Sequence, residues 1–321
     1  MAIDRARPLK IGLLLPHWEG ALDGGTPTWA DILAIARTAE AAGFDSLWVV
    51  DHLLFRRDEM MEHFGLPVPP ELAGLPPIGC WEGWLVLAAV AAATARVELG
   101  TLVACSGYRN PALLAKMADT LDAISGGRLT VGLGTGDSVF EHQSFGYPTD
   151  HRVGRFEEAL AILRPLLRGE RVDFGGTYHQ ARECELRPRG PRSDGPPLVI
   201  AGTGERMLSL TARYADGWNG WLAYGRSQPD VIPPLRAKVD AACHAVGRDP
   251  ATLSRSVGAR VAVLGRTVPG AEPLTGSTKE IAAGLRAFAD EGITHLQVAL
   301  APSSLEGIAA FAPVLEVLDR V

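Results

Sequence analysis

The chain is poor in cysteine and has no surplus of basic charge. Its four cysteines, Cys80, Cys105, Cys184 and Cys243, are widely spaced and form no CxxC pair. Neither a zinc knuckle nor a disulfide framework is indicated, and the four read as buried free thiols. Lys and Arg number 31 against 37 Asp and Glu, a net charge of −6, with a pI near 5.8. That balance excludes the electrostatic footprint of a nucleic-acid binder or of a protein drawn to an anionic membrane, and leaves a small molecule as the expected partner. The first apolar run spans about five residues before Pro16, too short for a signal-peptide core or a membrane span, so a cytoplasmic location is expected. GxSxG, HExxH and GxxxxGK are all missing, which removes the nucleophile elbow, the zinc helix and the phosphate loop. His142, His151 and His179 lack metal-ligand spacing, and no metal is expected.

What is present is a globular composition, 47% hydrophobic and 21% charged over 321 residues, and a repeated alternation of short and long apolar segments. Strand-like runs fall at Lys10–Pro16, Ser46–Asp51, Val97–Ala104, Arg128–Gly134, Pro197–Gly202, Asp216–Trp221, Ser254–Gly265 and Thr294–Leu300. Each leads into a longer run with helical spacing, and the strand runs are continuously apolar, as parallel strands covered on both faces should be. The fold class predicted is α/β, a (β/α)8 TIM barrel with loop insertions at its C-terminal face. A doubly wound open sheet is the alternative, because βα repeats alone do not decide closure. No break in composition marks a second domain, so residues 1–321 read as one, with insertions near 53–80, 167–197 and 265–276. A short hairpin is expected around Gly175 and Gly176.

Three strand ends carry candidate chemistry. The second ends VVDHLLF, placing Asp51 and His52 at the barrel mouth; the plainer reading is a helix cap or a surface hydrogen bond. The fourth ends GLGTGD, where glycines let a flat ring approach the main chain and Asp137 can exchange a proton. Asp137 occupies the last glycine position of GxGxxG, so the likeness to a dinucleotide fingerprint is superficial; the plainer reading is a tight turn with a capping Asp. The fifth ends IAGTGERM, where Gly202, Thr203 and Gly204 precede a helix and can meet a phosphate, or simply turn the chain. Trp81 with Trp84, and Trp218 with Trp221, read as packing.

The segments FDSLWVVDH, ELGTLVACSGYRNPALLAKMADTLDAISGGRLTVGLGTGD, HRVGRFEEAL and PPLVIAGTGERMLSLTARYADGWN together resemble the bacterial-luciferase-like family of flavin and deazaflavin oxidoreductases. The resemblance implies coenzyme F420 as cofactor, with FMN as the alternative, and hydride transfer to or from a small organic substrate. It implies His52 as proton donor, Asp137 as the second acid–base group, and a non-proline cis peptide at Leu102–Val103 supporting the ring, with Asp51 and Cys105 beside it. Thr135 and Gly136 match the family's Thr-Gly-acid sequence, and Gly202, Thr203 and Gly204 its glycine-rich turn at the cofactor tail. Arg152 and Arg155, just before a helical run, become candidates for phosphate, or else surface charges. Phe140 stands where the family's sugar-phosphate dehydrogenases carry asparagine, so a sugar phosphate is not expected, and Phe55, Phe140, Phe145 and the tryptophans suggest a less polar ligand. An FMN-dependent monooxygenase with a separate flavin reductase, a redox-silent isomerase or lyase using the same acids, and a non-catalytic flavin binder are the other readings. Dimers are common in the family, and a homodimer is expected.

Overall fold

The computed structural model describes residues 7–320. Its strands β1 (Lys10–Leu14), β2 (Ser46–Val49), β3 (Glu98–Thr101), β4 (Leu129–Gly134), β5 (Leu198–Ala201), β6 (Gly217–Trp221), β7 (Ser254–Ala262) and β8 (His295–Ala301) match the eight apolar runs. Every neighbouring pair is parallel, and β8 pairs with β1. The sheet therefore closes on itself as a (β/α)8 barrel, and the open-sheet alternative falls.

The outer layer consists of α1 (Trp29–Ala42), α2 (Gly83–Ala93), α3 (Pro111–Ser125), α4 (Arg152–Leu167), α5 (Glu205–Tyr214), α6 (Ile232–Ala245), α7 (Thr278–Asp290) and α8 (Leu305–Asp319). Local chemistry sets their ends. Thr28 and Asp31 form a capping box at the start of α1, and Gly43 stops that helix at φ +101°, a conformation glycine adopts without steric cost. Ile32, Ile35, Ala36 and Ala39 are the buried stripe of α1, the helical spacing that seats it on the sheet. No helix among the described residues is long and apolar enough to cross a membrane.

Inside the barrel, two tryptophans need glycine opposite them. A Cβ on Gly100 would stand 2.2 Å from Trp48, and one on Gly258 2.2 Å from Trp221. The Trp48 indole, with Leu14, Leu102, Ala223 and Ala299, forms an apolar cluster apart from the main core. Its Nε1 donates to Ser46 Oγ, which bonds His295 Nε2. The interior is thus filled below the mouth, and open space begins above it.

Several expectations need correction. The connection from Arg168 to Pro197 joins α4 to β5 and so leaves from the N-terminal side of the barrel. Its hairpin, Val172–Gly175 with Gln180–Cys184, lies back along α4, where Glu158 accepts from the backbone of Thr177, Tyr178 and His179. Arg152 and Arg155 lie within the first turn of α4 rather than before it. Helix α2 starts at Gly83, so Trp81 precedes it and is 54% exposed while Trp84 is buried. All four cysteines are free, but Cys80 and Cys184 are only partly buried.

Candidate active site

A cavity of about 450 Å³ opens at the carboxyl ends of the strands. Asp51, His52, Leu102, Val103, Cys105, Thr135, Gly136, Asp137, Gly202, Thr203 and Gly204 all line it, so these eleven residues singled out from the sequence converge there. Arg152 does not. It lines an adjoining cavity of about 220 Å³ with Arg155 and His179, and its Nη1 donates to Gly136 O at 2.9 Å.

The chain builds one wall of the main cavity from backbone. The Leu102–Val103 peptide is cis, and the short strand Ala104–Cys105 then pairs with the end of β4. Gly136 has φ +78°, and a Cβ there would meet His142 and Cys105 Sγ at 2.5 and 2.7 Å. Gly204 has nothing within 4 Å of where a Cβ would stand, leaving main chain bare at the start of α5. These surfaces, together with the cavity's size, fit a flat fused-ring cofactor that contacts backbone rather than long side chains.

Asp51 is not a free ligand group. It is 4% exposed, accepts from Cys105 N at 2.9 Å, and takes a forked pair of bonds from Arg109 at 2.6 and 2.9 Å. Arg109 also donates to Glu82 at 2.5 Å and lies 5.7 Å from the Trp84 ring. Burial raises the Asp51 pKa, while Arg109 and the Cys105 N–H offset part of that rise. Asp51 thus ties the segment after β3 to the end of β2.

His52 is held from behind by a residue the sequence reading passed over. Glu141, 0% exposed, lies 2.9 Å from His52 Nδ1, accepts from Leu54 N at 2.7 Å and from Leu53 N, and takes the Tyr108 hydroxyl at 2.7 Å. That leaves His52 Nε2 facing the cavity, 3.9 Å from Asp137 Oδ1, too far for a hydrogen bond but close enough for charge attraction. Burial opposes charge on His52, yet the carboxylates of Asp137, Glu141 and Asp51 outweigh it and raise its pKa to about 9. The ring is a cation at neutral pH. Burial likewise pushes Glu141 up, but His52, Leu53 N and Tyr108 bring its pKa below the ordinary glutamate value. Asp137 is not a helix cap, because Ser138 caps the short helix Val139–Ser144.

Four ring-bearing residues complete the mouth. His63, Phe64, Trp221 and Tyr224 line the cavity, and Phe64 and Tyr224 pack with ring centroids 5.6 Å apart. Trp221, expected as packing, therefore faces the site, while Trp218 is core at 1% exposure. Phe145 is 49% exposed and Phe140 lies under Arg56 at 4.5 Å, so of the three phenylalanines only Phe55 stands beside His52, at 4.9 Å.

A closed parallel (β/α)8 barrel is also the fold of the luciferase-like oxidoreductases. The chain belongs to that family: the profile of luciferase-like monooxygenases matches residues 9–267. Among curated relatives, the F420-dependent hydroxymycolic acid dehydrogenase of Mycobacterium tuberculosis is 33% identical over 251 residues, 76% of this chain and 60% of that protein. The F420-dependent glucose-6-phosphate dehydrogenase of Beutenbergia cavernae is 38% identical over 193 residues, 59% of this chain and 51% of that protein. The chain thus spans between half and two thirds of the length of these two relatives. A solved F420-dependent secondary alcohol dehydrogenase, in complex with an F420–acetone adduct, shares the fold with a TM-score of 0.75 at 20% identity, covering 97% of this chain and 99% of that one.

Proposed function

We propose that the protein is an F420-dependent oxidoreductase that interconverts an alcohol and a carbonyl on a small organic substrate, the chain acting as one catalytic unit. The observation that carries this reading is His52 Nε2, presented as a charged proton donor into a cavity walled by the backbone of Leu102–Val103, Thr135–Gly136 and Gly202–Gly204. The chemistry that a bound deazaflavin would supply is hydride transfer to or from the substrate carbon. His52 supplies the accompanying proton to the carbonyl oxygen in reduction, and in its neutral form takes the hydroxyl proton in oxidation. Asp137 stabilises the charged ring and Glu141 fixes its orientation. Asp51 and Cys105 brace the wall that would hold the cofactor's ring, and Thr203 with Gly204 would hold its tail. Arg152 and Arg155 would offer guanidinium donors to a phosphate in the adjoining cavity.

Titration of the purified protein with F420 and with FMN, followed by absorbance, tests the reading. Saturable binding of F420 is expected; a protein that takes FMN instead would favour the monooxygenase with a separate reductase, and one that takes neither would defeat the F420 reading. His52→Ala should lower turnover on the order of a hundredfold or more with F420 affinity nearly unchanged, whereas equal loss in both would assign His52 to binding. We also propose a cytoplasmic homodimer. Leu85 and Leu113, 73% and 54% exposed on α2 and α3, support association, which sedimentation checks.

A further inference from the structure

Next to the main cavity, and sharing Val50, His52, Trp221 and Tyr224 with it, lies a second cavity of about 70 Å³. Its lining is apolar and aromatic, with Trp18 and Phe55 prominent, and includes no carboxylate. The one guanidinium in it belongs to Arg260, near the C-terminal end of β7. Arg260 Nε donates to Ala223 O at 2.9 Å. Among the described residues its guanidinium makes no other hydrogen bond and no ion pair. Burial acts against the charge of Arg260, Tyr224 in the same cavity favours it, and the nearby positive charge of Arg57 again opposes it. Arg57 likewise has no ion-pair partner among the described residues.

A half-buried guanidinium does not ordinarily stand among aromatic rings without an anion, because desolvation of the charge goes uncompensated. Elsewhere in this chain Arg109, Arg164 and Arg7 pair with Asp51, Asp216 and Asp319. Arg128, which has no carboxylate, instead donates from its guanidinium to the carbonyls of Ser125, Val97, Ala91 and Thr94 and to the Thr94 hydroxyl. Arg260 has neither arrangement. The free planar fork of Arg260 matches a carboxylate in shape and charge. A volume of about 70 Å³ admits that group and a few carbons, while the rest of a substrate extends past His52 into the larger cavity.

We propose that this second cavity is the recognition subsite for the substrate, which is an apolar or aromatic compound carrying a carboxylate at Arg260 and its reacting carbinol or carbonyl near His52. Arg57 adds a weaker, outer attraction. The assignment of the reacting end rests on the F420 reading; the carboxylate subsite does not.

Binding of phenylacetate, phenylacetamide and benzylphosphonate, followed by quenching of tryptophan fluorescence with and without F420, tests the proposal. Phenylacetate should bind at least about tenfold more tightly than the amide, which keeps the stem and lacks the charge. Arg260→Gln should abolish that preference, Arg260→Lys should retain part of it, and Arg57→Gln should weaken it less; melting curves verify that each variant folds. Equal binding of acid and amide, an unchanged preference in Arg260→Gln, or a clear preference for the phosphonate would each overturn the carboxylate assignment. Acid preference in a protein that fails to bind F420 would uphold the subsite and sink the proposed cofactor instead.

Discussion

Replacing Glu141 with Gln isolates what the buried carboxylate does for His52. The distance from the ordinary value of 6.5 to about 9 corresponds, at about 1.4 kcal/mol per pH unit, to roughly 3 kcal/mol of net preference for the charged ring. Burial works against that preference and three carboxylates supply it, Glu141 being the one in hydrogen-bond contact. Glutamine keeps the shape and can still accept from Leu53 and Leu54 N–H, but it removes the charge and turns a donor toward a ring that also donates. The His52 pKa should fall to roughly 7–8 as one of the three favourable charges is lost. The sign follows from the raised pKa of the folded state. In the native protein, the stability contributed by His52 is complete below about 6.5 and is lost as pH rises through about 9; in Glu141→Gln the loss is complete at a lower pH. On the proposed function, in which carbonyl reduction uses the charged ring, activity should likewise decline above about pH 9 in the native protein and from roughly pH 7–8 in the variant. A histidine proton titration by NMR on both proteins reads the pKa directly. A His52 midpoint still near 9 in folded Glu141→Gln would refute the assignment of the charge balance to this carboxylate.

Two further substitutions probe the wall of the cavity. Arg109→Met should cost about 3–5 kcal/mol in urea unfolding, because it strands the buried Asp51 charge; a loss under about 1 kcal/mol would show that Asp51 does not depend on Arg109. Gly204→Ala should leave stability within about 0.5 kcal/mol, since φ there is −71° and the site of the new methyl is empty. It should nevertheless weaken F420 binding about tenfold or more if the cofactor lies on that backbone, the order of effect that blocking a close contact of 1–2 kcal/mol gives, and unchanged affinity would remove Gly204 from the contact surface.

The eight strands were legible because continuous apolar runs and helical spacing are local signals, and a parallel strand buried on both faces declares itself in its own residues. The three strand-end sequences, VVDH, GLGTGD and IAGTGE, were legible because glycine and ionisable residues at the end of an apolar run have few other uses. Closure was expected from the count of eight units rather than from any local signal, since the pairing of β8 with β1 joins segments that no local pattern links. Glu141 was hidden by its surroundings: Ser138 and Glu141 have the spacing of a capping box. Only tertiary contact shows the carboxylate turned away from Ser138 toward Leu53, Leu54, Tyr108 and His52. The same holds for Asp51, which the sequence presents as an available acid and the structure buries against Arg109, and for Arg260, an ordinary strand residue until the folded barrel leaves it without a carboxylate. The sequence by itself determined the elements and the residue types at the mouth; the tertiary structure decided which charges meet, because a carboxylate's effect on its neighbour depends on distance and burial, and neither is a local property of the chain.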